Sequence, residues 1–148
     1  MINIISLRQV REKSVPYMQK AIHIPEDIVE LLERALDLSN RSEELMGMLS
    51  LDIKNKVSGL HIIATGTVDK TLCSPREVFK HALLNNARSV ILFHNHPSGE
   101  LTPSKDDIYL TERMIECGRI LCIEVLDHIV VSDNDFLSMK GEGLCEFD

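Results

Sequence analysis

One stretch near the middle of the chain constrains its fold more than any other, because it joins a buried strand to a sharp turn. The apolar run 89–93 is rich in β-branched and aromatic residues and predicts a buried strand that ends in His94-Asn95-His96-Pro97. Side chains alternate between the faces of a strand, so His94 and His96 share one face and Asn95 points away from it. The sequence therefore predicts two imidazoles side by side at the tip of a strand.

A carboxylate is placed close to these imidazoles by the helix that follows. Ser104 begins an apolar-periodic helix, and Asp107 lies in its first turn. Two imidazole nitrogens and one carboxylate oxygen make three protein ligands, the number expected of a catalytic zinc site that keeps its fourth position for water. We expect His94, His96 and Asp107 to bind one Zn²⁺ per chain, although the same set also suits iron, manganese or nickel.

Each part of this pattern has a structural alternative. Ser104 and Asp107 are also a helix N-cap with an acidic first turn, which helices adopt for their own stability. A histidine at a strand end is often only hydrogen-bonded, and two histidines one residue apart are a weak signal alone. The shared strand face and the prolines that bound the loop favour metal binding, but spacing alone leaves both interpretations open.

The wording of the pattern resembles a known family. The spacing of His94, His96, Ser104 and Asp107 resembles the JAMM motif of MPN-domain metalloproteases, and HNHPSG followed by TPSKDD is similar to the RadC branch of that family. Further similar segments within residues 40–133 are Glu44-Leu45-Met46, Asp52-Ile53-Lys54-Asn55, Pro75-Arg76-Glu77-Val78-Phe79 and Asp127-His128-Ile129-Val130-Val131. The resemblance implies an α/β (α+β) fold with a single MPN/JAB-type domain, in which helices flank a central mixed β-sheet in a cytidine deaminase-like layout.

The resemblance also implies an activity and two catalytic residues. It implies a zinc-dependent peptidase or isopeptidase, with Glu44 as the general acid/base and Ser104 stabilising the oxyanion. The substrate would be an unidentified peptide or isopeptide. Glu43 is the neighbour that could be mistaken for Glu44, because a shift of one residue moves a side chain to the other face of a strand.

Three other functions were weighed against this one. The RadC label implies an accessory protein in DNA repair or recombination, but the net charge of −7 opposes attraction to phosphate, despite basic residues among the first twenty. Longer RadC-like proteins carry a helix-hairpin-helix region, and the residues before Glu44 are too few for both that region and a helix beginning at Pro25. Nucleic-acid binding is therefore weakly supported. An inactive metal-bearing scaffold stays open, whereas a zinc nucleobase deaminase is excluded, since position 96 is His and no CxxC follows.

Length and composition predict one domain with short ends. We expect an N-terminal extension at residues 1–24, a RadC-like JAB/MPN metal-binding domain at 25–140 and a frayed C-terminal tail at 141–148. No apolar run is long enough for a bilayer, and the first residues do not look like a signal peptide, so we expect a cytoplasmic protein without membrane contacts. Ile4 and Ile5, in a predicted edge strand, could pair two chains in a homo-oligomer.

Periodicity and turn residues place the remaining elements. The predicted helices start at Pro25 and end at Ser39-Asn40, start at Pro75 behind a Ser74/Glu77 capping box and end near Asn85-Asn86, and start at Ser104 and end at Gly118. The predicted strands start at Glu44, cover Gly59–Val68 with a bulge at Gly66, and lie within Arg119–Ser132 and Phe136–Met139. The second helix predicts a parallel, right-handed crossover between its flanking strands. Asp127 and His128 could orient a metal ligand, but a structural pair within the strand is favoured.

Overall fold

The computed structural model describes residues 1–18, 20–66, 73–133 and 135–148. These form one domain in which helices pack on both faces of a mixed five-stranded sheet, which confirms the α+β MPN/JAB fold. The helices are α1 (Pro25–Leu36), α2 (Pro75–Leu84) and α3 (Lys105–Leu121), with a 3₁₀ turn at Leu38–Asn40. The strands are β1 (Leu45–Leu51), β2 (Val57–Thr65), β3 (Ser89–Asn95), β4 (Glu124–Ser132) and β5 (Asp135–Ser138).

The order of the strands in the sheet is β2-β1-β3-β4-β5, so β3 lies at its centre. Strand β3 runs antiparallel to β1 and parallel to β4, and α3 makes the crossover between β3 and β4. Strands β2 and β3 run in the same direction, as the crossover prediction requires, but β1 lies between them. Because β1 and β3 are antiparallel, the beginning of β1 meets the end of β3, and Met46 pairs with His94.

Both faces of the central strands are buried, which explains their unbroken apolar sequences. Every residue of β1 and of β3 is buried. Helices α2 and α3 cover one face, where Phe79 and Met114 contact the sheet, and α1 covers the other, where Leu32 and Phe93 are fully buried. A large apolar side chain buried in this way contributes about 1.5–3 kcal/mol. A strand covered on both faces needs no alternation of polar and apolar residues.

Helix α3 continues beyond the residue at which the sequence predicted its end. Gly118 does not terminate it, and Ile120 and Leu121, which were expected in a strand, are helical. A Cβ at Gly118 would lie 2.4 Å from the Ile123 carbonyl oxygen. Gly118 therefore permits close packing of α3 against the chain that enters β4.

Two other helix boundaries differ in detail from the prediction. Helix α1 ends at Leu36, because Asp37 takes a left-handed conformation with φ of 49°, and the 3₁₀ turn covers the rest of the predicted helix. Helix α2 begins at Pro75 as predicted, but Ser74 makes no side-chain cap bond. Glu77 pairs instead with Lys80 at 2.8 Å, so the predicted capping box is wrong.

Three predictions about strands and ends also need correction. The structure describes residues 1–18 without a strand, and both Ile4 and Ile5 are exposed there. The irregularity in β2 lies at Ile63, which the β1 pairing skips, whereas Gly66 follows the strand with φ of 92°. The predicted end of this strand at Val68 lies outside the described residues.

The C-terminal residues do not fray but fold back onto α3. The Arg119 guanidinium donates to the Asp148 carboxylate at 2.9 Å and to the Glu146 carbonyl at 2.9 Å. Cys145 and Phe147 pack against the same apolar layer as α2 and α3. Within the described ranges, no helix combines the length and apolar composition needed to cross a membrane.

Candidate metal centre

The three predicted ligands meet at the end of β3. His94 lies in β3, His96 follows its last residue, and Asp107 lies in the first turn of α3. Asp107 Oδ2 is 3.4 Å from Nε2 of each histidine, and the two Nε2 atoms are 2.8 Å apart. These side chains form a group that could hold a metal ion.

The separations between donor atoms suit a divalent ion. Ligand bonds of about 2.0–2.1 Å at tetrahedral angles put neighbouring ligand atoms about 3.3 Å apart. The two separations from Asp107 Oδ2 match this value, and the separation between the imidazoles of His94 and His96 is shorter. Two imidazole nitrogens with one carboxylate oxygen are also a donor set that divalent transition metals bind. The residues therefore fit such an ion.

Strand β4 and the following loop hold His96 in position. The His96 backbone N–H donates to the Val131 carbonyl at 2.9 Å, and Ser132 Oγ donates to the His96 carbonyl at 2.6 Å. The His96 side chain places Nδ1 2.7 Å from the Glu100 carbonyl oxygen. A carbonyl can only accept, so Nδ1 carries a hydrogen and the Nε2 lone pair of the neutral ring faces the centre.

Asp107 is both a helix cap and a member of the group. Its Oδ2 accepts the Ser104 backbone N–H at 2.9 Å, and its own N–H donates to Ser104 Oγ at 3.0 Å. The two interpretations that the spacing left open are therefore compatible. A capping box fixes the carboxylate at the start of α3, and from there the same oxygen reaches both histidines.

The centre stabilises positive charge. Burial alone would raise the pKa of Asp107, but hydrogen bonds with His94 and His96 outweigh it and hold that pKa well below its ordinary value. The Asp107 hydrogen bond raises the pKa of His96 against the opposing effect of desolvation, and the charge of Glu44 raises it further. In the metal-free protein a proton occupies the position that suits a cation.

Glu44 precedes β1, and its backbone is fixed on both sides. The Asn95 side chain accepts the Leu45 N–H at 2.6 Å through Oδ1 and donates to the Glu43 carbonyl at 3.0 Å through Nδ2. The Glu44 carbonyl accepts the Gly66 N–H at 2.8 Å. The Glu44 side chain is half-buried and its charge acts on His96, whereas Glu43 is exposed. Sequence reasoning placed Asn95 only on the far face of β3 and missed these contacts.

A model of the RadC-like JAB domain matches residues 22–144 of this chain. The chain belongs to the RadC-like JAB-domain family. Its curated relatives include a UPF0758 protein of Desulforamulus reducens, 46% identical over 123 residues, which cover 83% of this chain and 53% of that protein. A UPF0758 protein of Methanosarcina mazei is 36% identical over 140 residues, which cover 95% of this chain and 60% of that protein. The chain spans just over half the length of these relatives.

One residue behind the centre of this RadC-like JAB domain was assigned to the wrong partner. His128 Nε2 lies 2.7 Å from Nδ1 of His94, and burial holds the pKa of His128 well below its ordinary value. Asp127, the partner favoured from the sequence, accepts instead from Ser138 Oγ at 2.5 Å and the Lys140 N–H at 3.0 Å. The signal that could have revealed this is strand alternation, since adjacent residues face opposite sides of β4.

Proposed function

We propose that this RadC-like JAB domain is a zinc-dependent peptidase or isopeptidase that hydrolyses an amide bond in a peptide or isopeptide substrate. The observation that supports the proposal most is the meeting of His94, His96 and Asp107 at one point, with the charge of Glu44 acting on the same point. Three protein ligands leave room for water and substrate, which a closed structural zinc site would not.

The reaction divides between the ion and the residues around it. His94, His96 and Asp107 would hold the ion, which when bound supplies a Lewis acid that acidifies water and polarises the scissile carbonyl. Glu44 accepts a proton from the attacking water and passes it to the leaving amine as the C–N bond breaks. The contacts of Asn95 on either side of Glu44 keep its backbone in place during both transfers.

Ser104 is suited to stabilise the oxyanion. Its Oγ accepts the Asp107 N–H at 3.0 Å, so its own hydrogen stays free to point towards solvent, to which Ser104 is exposed. A donor beside the carbonyl stabilises the negative charge that develops during attack, and the loss of one such donor typically slows the reaction by about 10²–10³-fold.

The proposal is tested by Glu44→Gln in the full chain loaded with zinc. We expect the variant to keep its zinc and to cleave a library of fluorogenic peptides and isopeptides at least about 100-fold more slowly, the usual contribution of general acid–base catalysis. Glu43→Gln is the matched control, because Glu43 is adjacent but exposed, and it should cleave at the wild-type rate. Equal rates for Glu44→Gln and wild type would remove Glu44 from its role. A zinc-loaded wild type that cleaves nothing in the library would favour the inactive scaffold.

A further inference from the structure

Three buried hydrogen bonds connect one member of the metal centre to another through the interior. Thr111 Oγ1 lies 2.7 Å from the Asp107 carbonyl oxygen and 2.6 Å from His128 Nδ1. His128 Nε2 lies 2.7 Å from His94 Nδ1. Thr111 is 0% exposed, His128 1% and His94 4%, so water does not take part in these bonds.

The chemistry of the groups fixes the position of every hydrogen in this relay. Two oxygens 2.7 Å apart need a hydrogen between them, and only the Thr111 hydroxyl can supply it, because the Asp107 carbonyl accepts alone. Thr111 Oγ1 must then accept from His128 Nδ1–H. The partners of the His128 ring are a hydroxyl and a second imidazole, neither of which balances a charge, so the buried ring is neutral and Nε2 accepts.

The last bond of the relay decides what His94 offers to the centre. Because His128 Nε2 accepts, the hydrogen in the third bond belongs to His94 Nδ1. The Nε2 atom of the neutral His94 ring is then left with a lone pair, 3.4 Å from Asp107 Oδ2. This is the tautomer that can bind a cation at the centre.

We propose that Thr111 and His128 are positioning residues that hold His94 in its metal-binding tautomer and tie that tautomer to the backbone of Asp107. The inference rests on the proposed function in one respect, that a divalent ion binds at this centre. Partners of this kind orient metal ligands, and their loss typically weakens metal binding by about 10–100-fold.

Removing the Thr111 hydroxyl should reverse the relay. In Thr111→Val the shape is kept, but the buried His128 Nδ1–H loses its acceptor, which is costly. His128 then gains by carrying its hydrogen on Nε2 and donating to His94 Nδ1. A neutral His94 must in turn carry its own hydrogen on Nε2, at the position where an ion would bind.

Zinc affinity, measured by competition with a chelator, tests the proposal without any substrate. We expect Thr111→Val to bind Zn²⁺ about 10–100-fold more weakly than wild type, and Thr111→Ser, which keeps the hydroxyl, to bind as wild type does. Ser50→Ala is the matched control, since it removes another fully buried hydroxyl at the opposite end of β1. Equal affinities of Thr111→Val and wild type would overturn the proposal.

The tautomer of His94 can be read directly from the ring nitrogen shifts of the metal-free protein at mildly alkaline pH. We expect the hydrogen on Nδ1 in wild type and on Nε2 in Thr111→Val, and an unchanged tautomer would overturn the proposal. If Thr111→Val does not fold, His128→Gln and His128→Leu replace it, because the Gln amide oxygen can accept from His94 Nδ1 and Leu cannot. Equal zinc affinities for those two variants would also overturn it.

The two proposals fail separately in these experiments. A wild type that binds Zn²⁺ but hydrolyses nothing contradicts the peptidase proposal and leaves the measured effect of Thr111 on affinity intact. A wild type that binds no Zn²⁺ contradicts both the metal centre and the role of the relay in binding.

Discussion

Truncation of Asn95 tests how the fold holds Glu44 beside the metal centre. One side-chain amide bonds to the backbone on both sides of Glu44, at Leu45 N–H and at the Glu43 carbonyl. Asn95→Ala removes both bonds and leaves the strand otherwise unchanged. The variant should therefore be less stable and should no longer hold the Glu44 backbone.

The size of the effect follows from burial. Leu45 is 1% exposed and Asn95 2%, so the Leu45 N–H would lose its acceptor where water does not reach it. An unsatisfied buried donor costs about 1–3 kcal/mol. Glu43 is exposed, and its carbonyl can bond to water instead at little cost. We therefore expect a loss of about 2 kcal/mol, which lowers Tm by about 4–8 °C in a domain of this size.

Urea denaturation of the metal-free protein measures this loss without a contribution from bound ions. Asn40→Ala is the matched control, because the Asn40 amide bonds to Asp37 at an exposed site, and it should change stability by less than about 0.5 kcal/mol. If Asn95→Ala unfolds at the same urea concentration as this control, the clamp around Glu44 does not exist in solution.

Zinc affinity separates the effect of Asn95 on Glu44 from an effect on the whole strand end. Asn95 points away from the face shared by His94 and His96, so Asn95→Ala should bind Zn²⁺ as tightly as wild type while kcat falls. A parallel loss of zinc affinity would show that Asn95 supports the ligands as well.

Two further predictions concern packing and protons. Gly118→Ala should cost about 1–3 kcal/mol in the free energy of unfolding, because its Cβ would lie 2.4 Å from the Ile123 carbonyl oxygen, and wild-type stability in urea would contradict the close approach of α3 to β4. Zinc affinity should fall as the pH is lowered, and the fall should begin above the ordinary pKa of histidine, because the raised pKa of His96 lets protons compete for its Nε2 earlier; an affinity that stays constant from pH 8 to pH 6 would contradict this.

The parts of the centre that depend on local spacing could be predicted from the sequence. Strand alternation is enough to put His94 and His96 on one face, and helix-start spacing is enough to put Asp107 in the first turn of α3. The unbroken apolar runs likewise indicate β1 and β3 as buried strands. These signals act over a few residues, so no tertiary contact is needed to interpret them.

The parts that depend on pairing between distant segments could not be predicted. His128 reaches His94 because β4 pairs in parallel with β3 in a register that puts His128 beside Leu92, two residues before His94. Asn95 finds its partners only because β1 begins where β3 ends. Gly118 is ambiguous for the same reason, since a glycine near a helix end can terminate the helix or admit a neighbour, and the position of β4 decides between them.

The antiparallel pairing of β1 with β3 divides the molecule into two ends with different freedom to change. The ligands, Glu44 and Asn95 all lie where β1 begins and β3 ends, whereas the turn at residues 52–56 lies where β1 finishes, a strand length of about 20 Å away. A reporter, an affinity tag or a whole fusion partner spliced into that turn would leave the chemistry untouched. The domain could thus be tethered to a surface from behind while its reactive edge stays open to long polymeric ligands.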